Sequence, residues 1–171
     1  MPIARRDAEV QWEGSLARGA GTLMSGSSAL DEVAVTWASR TKQPDGKTSP
    51  EELIAGAHAS CFAMALALVL GDEGSPPERL AVTAECTLDD VDGAPRITSV
   101  DLSVRAVVPG LDAERFERMV GRAEDLCPVS NALHGNVRIS VRHELEGARA
   151  QASRSAEPCA IALNRLSAIS C

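Results

Sequence analysis

The chain has 171 residues and a mass of 17.9 kDa, which suits a single domain. Its formal net charge is −7, and because Lys and Arg supply most of the affinity for phosphate backbones, we do not expect a nucleic-acid partner. Hydrophobic residues make up 44% of the chain but aromatic residues only 2%. The core must therefore be built from aliphatic side chains.

The N-terminal segment carries Arg5 and Arg6 with no apolar stretch behind them, so we expect no signal peptide and a cytoplasmic location. The cysteines are odd in number and widely spaced, which argues against a zinc knuckle and against a secreted disulfide framework. The three histidines predict no metal site, and we expect no cofactor. Each thiol is then either a core residue or a reactive group. The five cysteines are Cys61, Cys86, Cys127, Cys159 and Cys171.

The first forty residues predict short strands, because residues 9–13 and 33–37 alternate between apolar and polar side chains. The glycines between these segments predict turns. They are Gly14, Gly19, Gly21 and Gly26. A polar loop is predicted over residues 40–49.

A strong helix is predicted over residues 50–70. Ser49 suits the N-cap, Pro50 the first helical position, and Glu52 the third position of a capping box. Gly71 is the predicted end. Nearly every later residue is apolar or small, and a helix without a polar face is buried on all sides. In so small a chain this pattern indicates a central helix shared with a partner subunit rather than a membrane span.

The second half of the chain predicts two long alternating strands at residues 80–88 and 100–108, joined by a turn at Asp92-Gly93. Asp112 is the predicted cap of a helix over residues 113–124, and Pro128 begins a short third helix. Residues 137–145 alternate as a last strand. We predict one domain over residues 1–146 and a separate, loosely ordered tail over residues 147–171, which is rich in Ala, Ser and Arg.

Individual residues leave several chemical roles open. Cys61, in the middle of the long helix, is either a small core residue or a thiolate that needs a nearby cation. Cys127 precedes Pro128, so the free N–H groups of the third helix favour its thiolate, although it is equally compatible with a buried helix corner. His58, one turn before Cys61, is either a base or a satisfied core histidine.

The other candidate residues carry little signal by themselves. Cys86 lies on the apolar face of a strand, which favours a core position. Arg40 alone is typical of a solvated charge, and Glu51 of a helix N-terminus.

Two long segments nevertheless resemble those of one known family. Residues 48–66, TSPEELIAGAHASCFAMAL, resemble the first cysteine helix of the osmotically inducible protein C (OsmC) family, and residues 126–130, LCPVS, resemble its second cysteine segment. Residues 12–14, 18–22 and 108–110 also match. The resemblance covers about residues 3–146 and is closest to the hydroperoxidase branch.

The resemblance implies an α+β fold and an intertwined homodimer, with bent antiparallel sheets around central helices and active sites at the subunit boundary. Members of the family reduce organic hydroperoxides in preference to hydrogen peroxide. By position, Cys61 resembles the peroxidatic cysteine and Cys127 the resolving cysteine. Arg40 resembles the arginine that holds the thiolate, and Glu51 the carboxylate that positions this arginine.

The implied cycle oxidises Cys61 to a sulfenic acid, which condenses with Cys127 to a disulfide. A dithiol, expected to be a dihydrolipoyl protein, then reduces it. Cys159 and Cys171 of the tail match nothing in the family. Two other functions stay open: a redox-sensing or ligand-binding dimer, and a structural dimer with incidental cysteines. The last requires Cys61 and Cys127 to lie far apart.

Overall fold

The structure is a computed structural model that describes residues 1–146; the predicted tail lies outside this range. The described part has six strands and four helices. They are β1 (Ala8–Glu13), β2 (Ala20–Ser25), β3 (Val33–Val35), α1 (Trp37–Thr41), α2 (Pro50–Asp72), β4 (Arg79–Val91), β5 (Ala94–Val107), α3 (Ala113–Leu126), α4 (Pro128–Leu133) and β6 (Arg138–Glu146).

The first sheet is antiparallel in the order β1-β2-β3. The predicted first strand is confirmed, but the interpretation of Gly21 as a turn residue is wrong, because it lies within β2. Gly21 stands opposite Trp12 in the pairing of β1 with β2. A Cβ atom on Gly21 would come within 2.9 Å of Cε3 of Trp12, so the glycine leaves room for the indole ring.

The third strand is shorter than predicted and is followed by a helix that the sequence did not indicate. Thr36 caps α1: its Oγ1 accepts from the Ser39 N–H, and the Ser39 Oγ accepts from the Thr36 N–H, both at 3.0 Å. This reciprocal pair ends the strand before Trp37. Arg40 therefore lies in the last turn of α1 and not at the start of a polar loop.

Helix α2 begins as predicted and ends two residues later than expected. The Ser49 Oγ accepts from the Glu52 N–H at 3.2 Å, which confirms the N-cap. The other half of the predicted capping box is wrong, because the Glu52 carboxylate instead accepts from the Thr48 hydroxyl at 2.8 Å. The left-handed conformation that follows the helix occurs at Gly74 rather than at Gly71.

The second sheet has the order β4-β5-β6. The predicted hairpin is confirmed: Asp92 and Gly93 connect β4 to β5 with φ angles of 56° and 80°. Strand β6, however, runs parallel to β5, so this sheet is mixed where the resemblance implied antiparallel pairing. The reason is the connection through α3 and α4, which returns the chain to the starting end of β5. The α+β class itself is confirmed.

The core lies between α2, α3 and one face of the second sheet. Its completely buried members include Phe62, Leu66, Leu70, Leu102 and Phe116. The opposite side of α2 is exposed, and we call it the open face. It consists of Gly56, Ala57, Ser60, Met64, Ala67 and Leu68. Within one chain, the expectation that α2 is buried on all sides is therefore not met.

Helix α2 is long and apolar enough to cross a membrane, since an 18-residue window within it has a mean hydropathy of 2.1. The core helix of a soluble protein has the same composition, and α2 packs on the second sheet while burying the polar side chains of Glu51 and His58. The first sheet, by contrast, has no extensive contact with α2 or with the second sheet, and every residue of β1 is exposed.

Candidate active site

The structure brings Cys61 and Cys127 together. Cys61 lies in the middle of α2, and Cys127 is the residue at which α3 ends and α4 begins. Each thiol shifts the pKa of the other, Cys61 packs against the core cluster that contains Cys127, and both thiols are free. Cys61 is half-buried, whereas Cys127 is completely buried. Two sulfurs in contact, one of them reachable from outside, form a site that can cycle between a dithiol and a disulfide.

The surroundings of Cys127 favour its thiolate. Burial raises the pKa of Cys127, but the Ser130 side chain, the Ser130 and Val129 N–H groups and the Cys61 thiol outweigh burial and bring the pKa below its usual value. These N–H groups begin α4, although they form no regular capping hydrogen bond with the sulfur. The predicted influence of the helix N-terminus on this thiol is therefore present.

The surroundings of Cys61, by contrast, disfavour its thiolate. Burial raises the pKa of Cys61, and contact with Cys127 raises it further, while the Val129 N–H opposes both without compensating for them. No cation in the described part of the chain lowers it. A Cys61 thiolate therefore needs a positive charge from outside the described part of this chain.

A buried pair behind Cys127 was missed by the sequence analysis. The His58 Nε2 and the Ser130 Oγ are 2.8 Å apart, and both side chains are buried. Burial lowers the pKa of His58, so the ring is neutral at pH 7. In the sequence, helical spacing relates His58 only to Cys61. The signal that was overlooked is the position of Ser130 three residues after Cys127, at the start of a helix.

Arg40 and Glu51 form an ion pair elsewhere on the surface of the protomer. The Arg40 Nε and Nη2 donate to Oε1 of Glu51 at 2.9 and 2.7 Å. Glu51 is only 7% exposed, and its Oε2 has no hydrogen-bond partner among the described residues. The guanidinium carbon of Arg40 also lies 5.7 Å from the ring centroid of Trp37. Glu51 thus fixes the direction of the Arg40 fork.

This ion pair lines an open cavity of about 420 Å³. Cys86 lines the same cavity, so it is not simply the core residue that its strand position predicted. Burial raises the pKa of Cys86, and the Glu51 carboxylate raises it further, which keeps this thiol protonated.

The cysteine pair and the Arg40–Glu51 ion pair do not meet within one chain. Glu51 and Cys61 are both on α2 and ten residues apart, which places them about 15 Å from each other along the helix axis. Residues 1–146 also contain no group of three or more His, Cys, Asp or Glu side chains that could hold a metal ion.

Sequence comparison places these residues in a family context. A family model described as OsmC-like protein matches residues 43–142. Peroxiredoxin OsmC of Escherichia coli (strain K12) is 39% identical over 132 residues, which cover 77% of this chain and 92% of that protein. The chain belongs to the OsmC family. Organic hydroperoxide resistance protein OhrA of Bacillus subtilis (strain 168) is 33% identical over 124 residues, which cover 71% of this chain and 85% of that protein.

Solved structures of OsmC-family proteins share the fold. An organic hydroperoxide resistance protein OsmC from Legionella pneumophila has a TM-score of 0.66 at 23% identity, covering 85% of this chain and all of that chain. OhrB of Bacillus subtilis has a TM-score of 0.63 at 24% identity, covering 81% of this chain and 98% of that chain. The range matched by the family model contains Glu51, Cys61 and Cys127, whereas Arg40 lies three residues before it.

Proposed function

We propose that the protein is a cysteine-based peroxidase that reduces organic hydroperoxides, and hydrogen peroxide less well, with Cys61 as the peroxidatic and Cys127 as the resolving cysteine. The observation that carries this proposal is the contact between the two thiols, one half-buried and one completely buried. Family membership supports it, since relatives are named peroxiredoxin and organic hydroperoxide resistance protein. A thiol-dependent hydroperoxide reductase is the enzyme class that fits both.

The chemistry needs only the two thiols and an external reductant. The Cys61 thiolate attacks the O–O bond of the hydroperoxide, the alcohol leaves, and Cys61 becomes a sulfenic acid. The Cys127 thiolate then attacks the Cys61 sulfur and displaces the hydroxyl group, which leaves as water after taking up a proton. A dithiol reduces the resulting disulfide. We propose a dihydrolipoyl protein as this dithiol and the cytoplasm as the compartment.

Exposure and acidity favour different cysteines as the peroxidatic one. Cys127 is the more acidic thiol, but a hydroperoxide cannot reach it, because it is completely buried. Cys61 is reachable but lacks a cation. Access supports the assignment of Cys61 as the peroxidatic cysteine, since another protomer can supply the missing charge, whereas a hydroperoxide must be able to reach the attacking sulfur.

A homodimer can supply that charge. The Arg40–Glu51 pair lies about 15 Å from Cys61 along α2, and the apolar open face of α2 needs a partner. Antiparallel packing of two α2 helices brings the ion pair of one protomer toward Cys61 of the partner subunit. The Arg40 fork then stabilises the thiolate and binds a peroxide oxygen. In this proposal residues 1–146 form the peroxidase domain.

The alternative functions differ in what they require. A structural dimer with incidental cysteines requires the two thiols to lie far apart, which their contact contradicts. A redox-sensing or ligand-binding dimer allows the contact but predicts slow thiol chemistry without repeated turnover. Catalytic turnover therefore distinguishes the enzyme from the sensor.

The deciding experiment measures the consumption of cumene hydroperoxide and of hydrogen peroxide with dihydrolipoamide as the electron donor. We expect repeated turnover with a preference for cumene hydroperoxide. Cys61→Ser should abolish it, because a hydroxyl group is not oxidised by peroxide, and Cys127→Ser should stop after one equivalent with a sulfenic acid at Cys61. Cys171→Ser, which removes a thiol beyond the region of family resemblance, is the matched control. Full activity in Cys61→Ser would reverse the two roles, and oxidation without turnover would favour the sensor.

A further inference from the structure

The two sulfurs of a Cys61–Cys127 disulfide are not equivalent targets for a reducing thiol. Cys61 is half-buried and reachable, whereas Cys127 is completely buried beneath the junction of α3 and α4. An attacking thiolate must approach the target sulfur directly, and the disulfide opens faster when the departing sulfur is the more acidic thiol. The exposure of Cys61 therefore favours attack on its sulfur, and the lower pKa of Cys127 favours Cys127 as the departing thiolate.

The surroundings of Cys127 suit a leaving thiolate. Cys127 lies at the start of α4, and the Ser130 side chain, the N–H groups of Ser130 and Val129 and the Cys61 thiol outweigh burial and lower its pKa. The negative charge is thus stabilised by donors that are fixed in the first turn of α4, and the Ser130 hydroxyl is the one side chain among them besides the second thiol.

His58 fixes the direction of that hydroxyl. Ser130 has one proton, and it can donate to Cys127 only if the His58 Nε2, 2.8 Å away, is the donor in their hydrogen bond. We assign the neutral tautomer with its proton on Nε2. In this tautomer the atom without a partner among the described residues, Nδ1, is left with a lone pair rather than with an unsatisfied N–H. The order of donation is then His58 to Ser130 to Cys127.

We propose that the reducing dithiol attacks the Cys61 sulfur and expels Cys127 as a thiolate, with Ser130 as a positioning residue held by His58. The dithiol forms a mixed disulfide with Cys61, and the bonding electron pair of the old disulfide passes to Cys127. The second thiol of the reductant then attacks the reductant's sulfur in the mixed disulfide and releases Cys61 as a thiol. The dithiol is thereby oxidised by two electrons to a disulfide. The inference rests on the proposed function only in taking the Cys61–Cys127 disulfide as its substrate.

The direction of attack can be mapped on the unchanged, full-length chain. The disulfide is formed with diamide, so no peroxidase activity is needed, and is then opened briefly with 2-mercaptoethanol, quenched in acid, denatured and alkylated with N-ethylmaleimide. Trypsin places each cysteine on a separate peptide. These are residues 48–79, 80–96, 123–138, 155–165 and 166–171. We expect mercaptoethanol on Cys61 and N-ethylmaleimide on Cys127. The reverse labelling would overturn the proposal.

Substitutions test the role of Ser130. Ser130→Ala removes a hydrogen bond to a charged sulfur, so we expect the disulfide to open roughly three- to tenfold more slowly, with a larger share of adduct on Cys127. Ser130→Thr keeps the hydroxyl and should recover most of the rate. In His58→Gln the disulfide should open at a rate between those of Ser130→Ala and the unchanged chain. The matched control is Ser99→Ala, since Ser99 is equally buried on β5 and hydrogen-bonds Asp101.

The outcomes separate this inference from the proposed function. An unchanged rate and an unchanged share of adducts in a folded Ser130→Ala variant would remove Ser130 from the step. Where Ser130→Ala does not fold, the labelling of the unchanged chain still decides which sulfur is attacked. If organic hydroperoxide fails to form the disulfide that diamide forms, the peroxidase proposal fails while the direction of thiol attack is still measured.

Discussion

Cys61 lies mid-way along α2, where its sulfur has the Val129 N–H as its only stabilising neighbour among the described residues. Cys127, which contacts it, has the start of α4 and the Ser130 hydroxyl. Burial opposes both thiolates, and only Cys127, the more buried of the two, has enough donors to outweigh it. At the scale of single residues, the described part of the chain therefore stabilises a thiolate at Cys127, the proposed resolving cysteine, but not at Cys61, the proposed peroxidatic cysteine.

We expect Arg40→Ala to raise the pKa of Cys61 and to slow its oxidation about tenfold or more at neutral pH, because a neighbouring cation stabilises a thiolate. Arg40→Lys keeps the charge but loses the fork, so it should recover part of the rate. The measurement is thiolate absorbance against pH in a Cys127→Ser background. Arg118→Ala, which removes an exposed arginine paired with Glu114, is the control. An unchanged Cys61 pKa would exclude Arg40 from the site.

His58 should make stability depend on pH. Burial places its folded-state pKa below the unfolded value of about 6.5. Below that pH the unfolded chain binds a proton that the folded chain does not, so stability should fall as the pH drops from about 6.5 toward the folded pKa. Denaturant unfolding at fixed protein concentration between pH 7.5 and 5 should show a shallower loss for His58→Gln. Equal slopes in the two proteins would contradict a neutral, buried His58.

At the scale of elements, α2 carries one member of each candidate pair, Glu51 and Cys61, and its two sides have different surroundings. One side packs Phe62, Leu66 and Leu70 into the core, and the other is the open face. Its position is fixed at the N-terminus, where Ser49 caps the helix and the buried Glu51 binds Arg40. The cap therefore supports the alignment of the ion pair as well as the helix itself.

Ser49→Ala should lower the free energy of unfolding by about 1 kcal/mol, because the Glu52 N–H loses its acceptor. Chemical denaturation at fixed protein concentration measures this loss. Ser49→Asn, which retains a capping oxygen, should lose only a small part of it. An equal loss in both variants would show that packing rather than capping determines the effect.

At the scale of the whole molecule, two surfaces are unusual for a protein that functions alone. The open face of α2 exposes Met64 and Leu68 by 66% and 58%, and β1 exposes Val10 and Trp12. The first sheet has no extensive contact with the rest of the described chain. Covering several hundred Å² of such surface stabilises an assembly by several kcal/mol at roughly 25 cal/mol per Å². Both surfaces are therefore expected to lie within a dimer.

Light scattering at low micromolar concentration should give about twice the chain mass of 17.9 kDa. Leu68→Lys places a charge on the open face and should shift the protein toward monomers with loss of peroxidase activity, because dissociation separates Arg40 from Cys61. Ile3→Lys, a comparable change at a fully exposed position outside any strand or helix, should alter neither property. A stable and active monomer would contradict both the dimer and the shared site.

Features that depend on near neighbours in the chain could be predicted from the sequence. The caps at Ser49 and Asp112, the start of α4 at Pro128 and the Asp92-Gly93 turn are all present, because each is determined by hydrogen bonds or φ preferences within a few residues. The cysteine pair was expected only through family resemblance, since nothing local relates position 61 to position 127.

Tertiary structure alone decided the rest, because each remaining feature depends on what stands opposite a residue in space. Gly21 belongs to a strand because Trp12 lies across from it. Strand β6 is parallel because two helices separate it from β5. The hydrogen bond between His58 and Ser130 joins residues 72 positions apart, so the sequence could not relate them. Sequence periodicity records which face of an element is apolar, but not which side chain of a distant element packs against it.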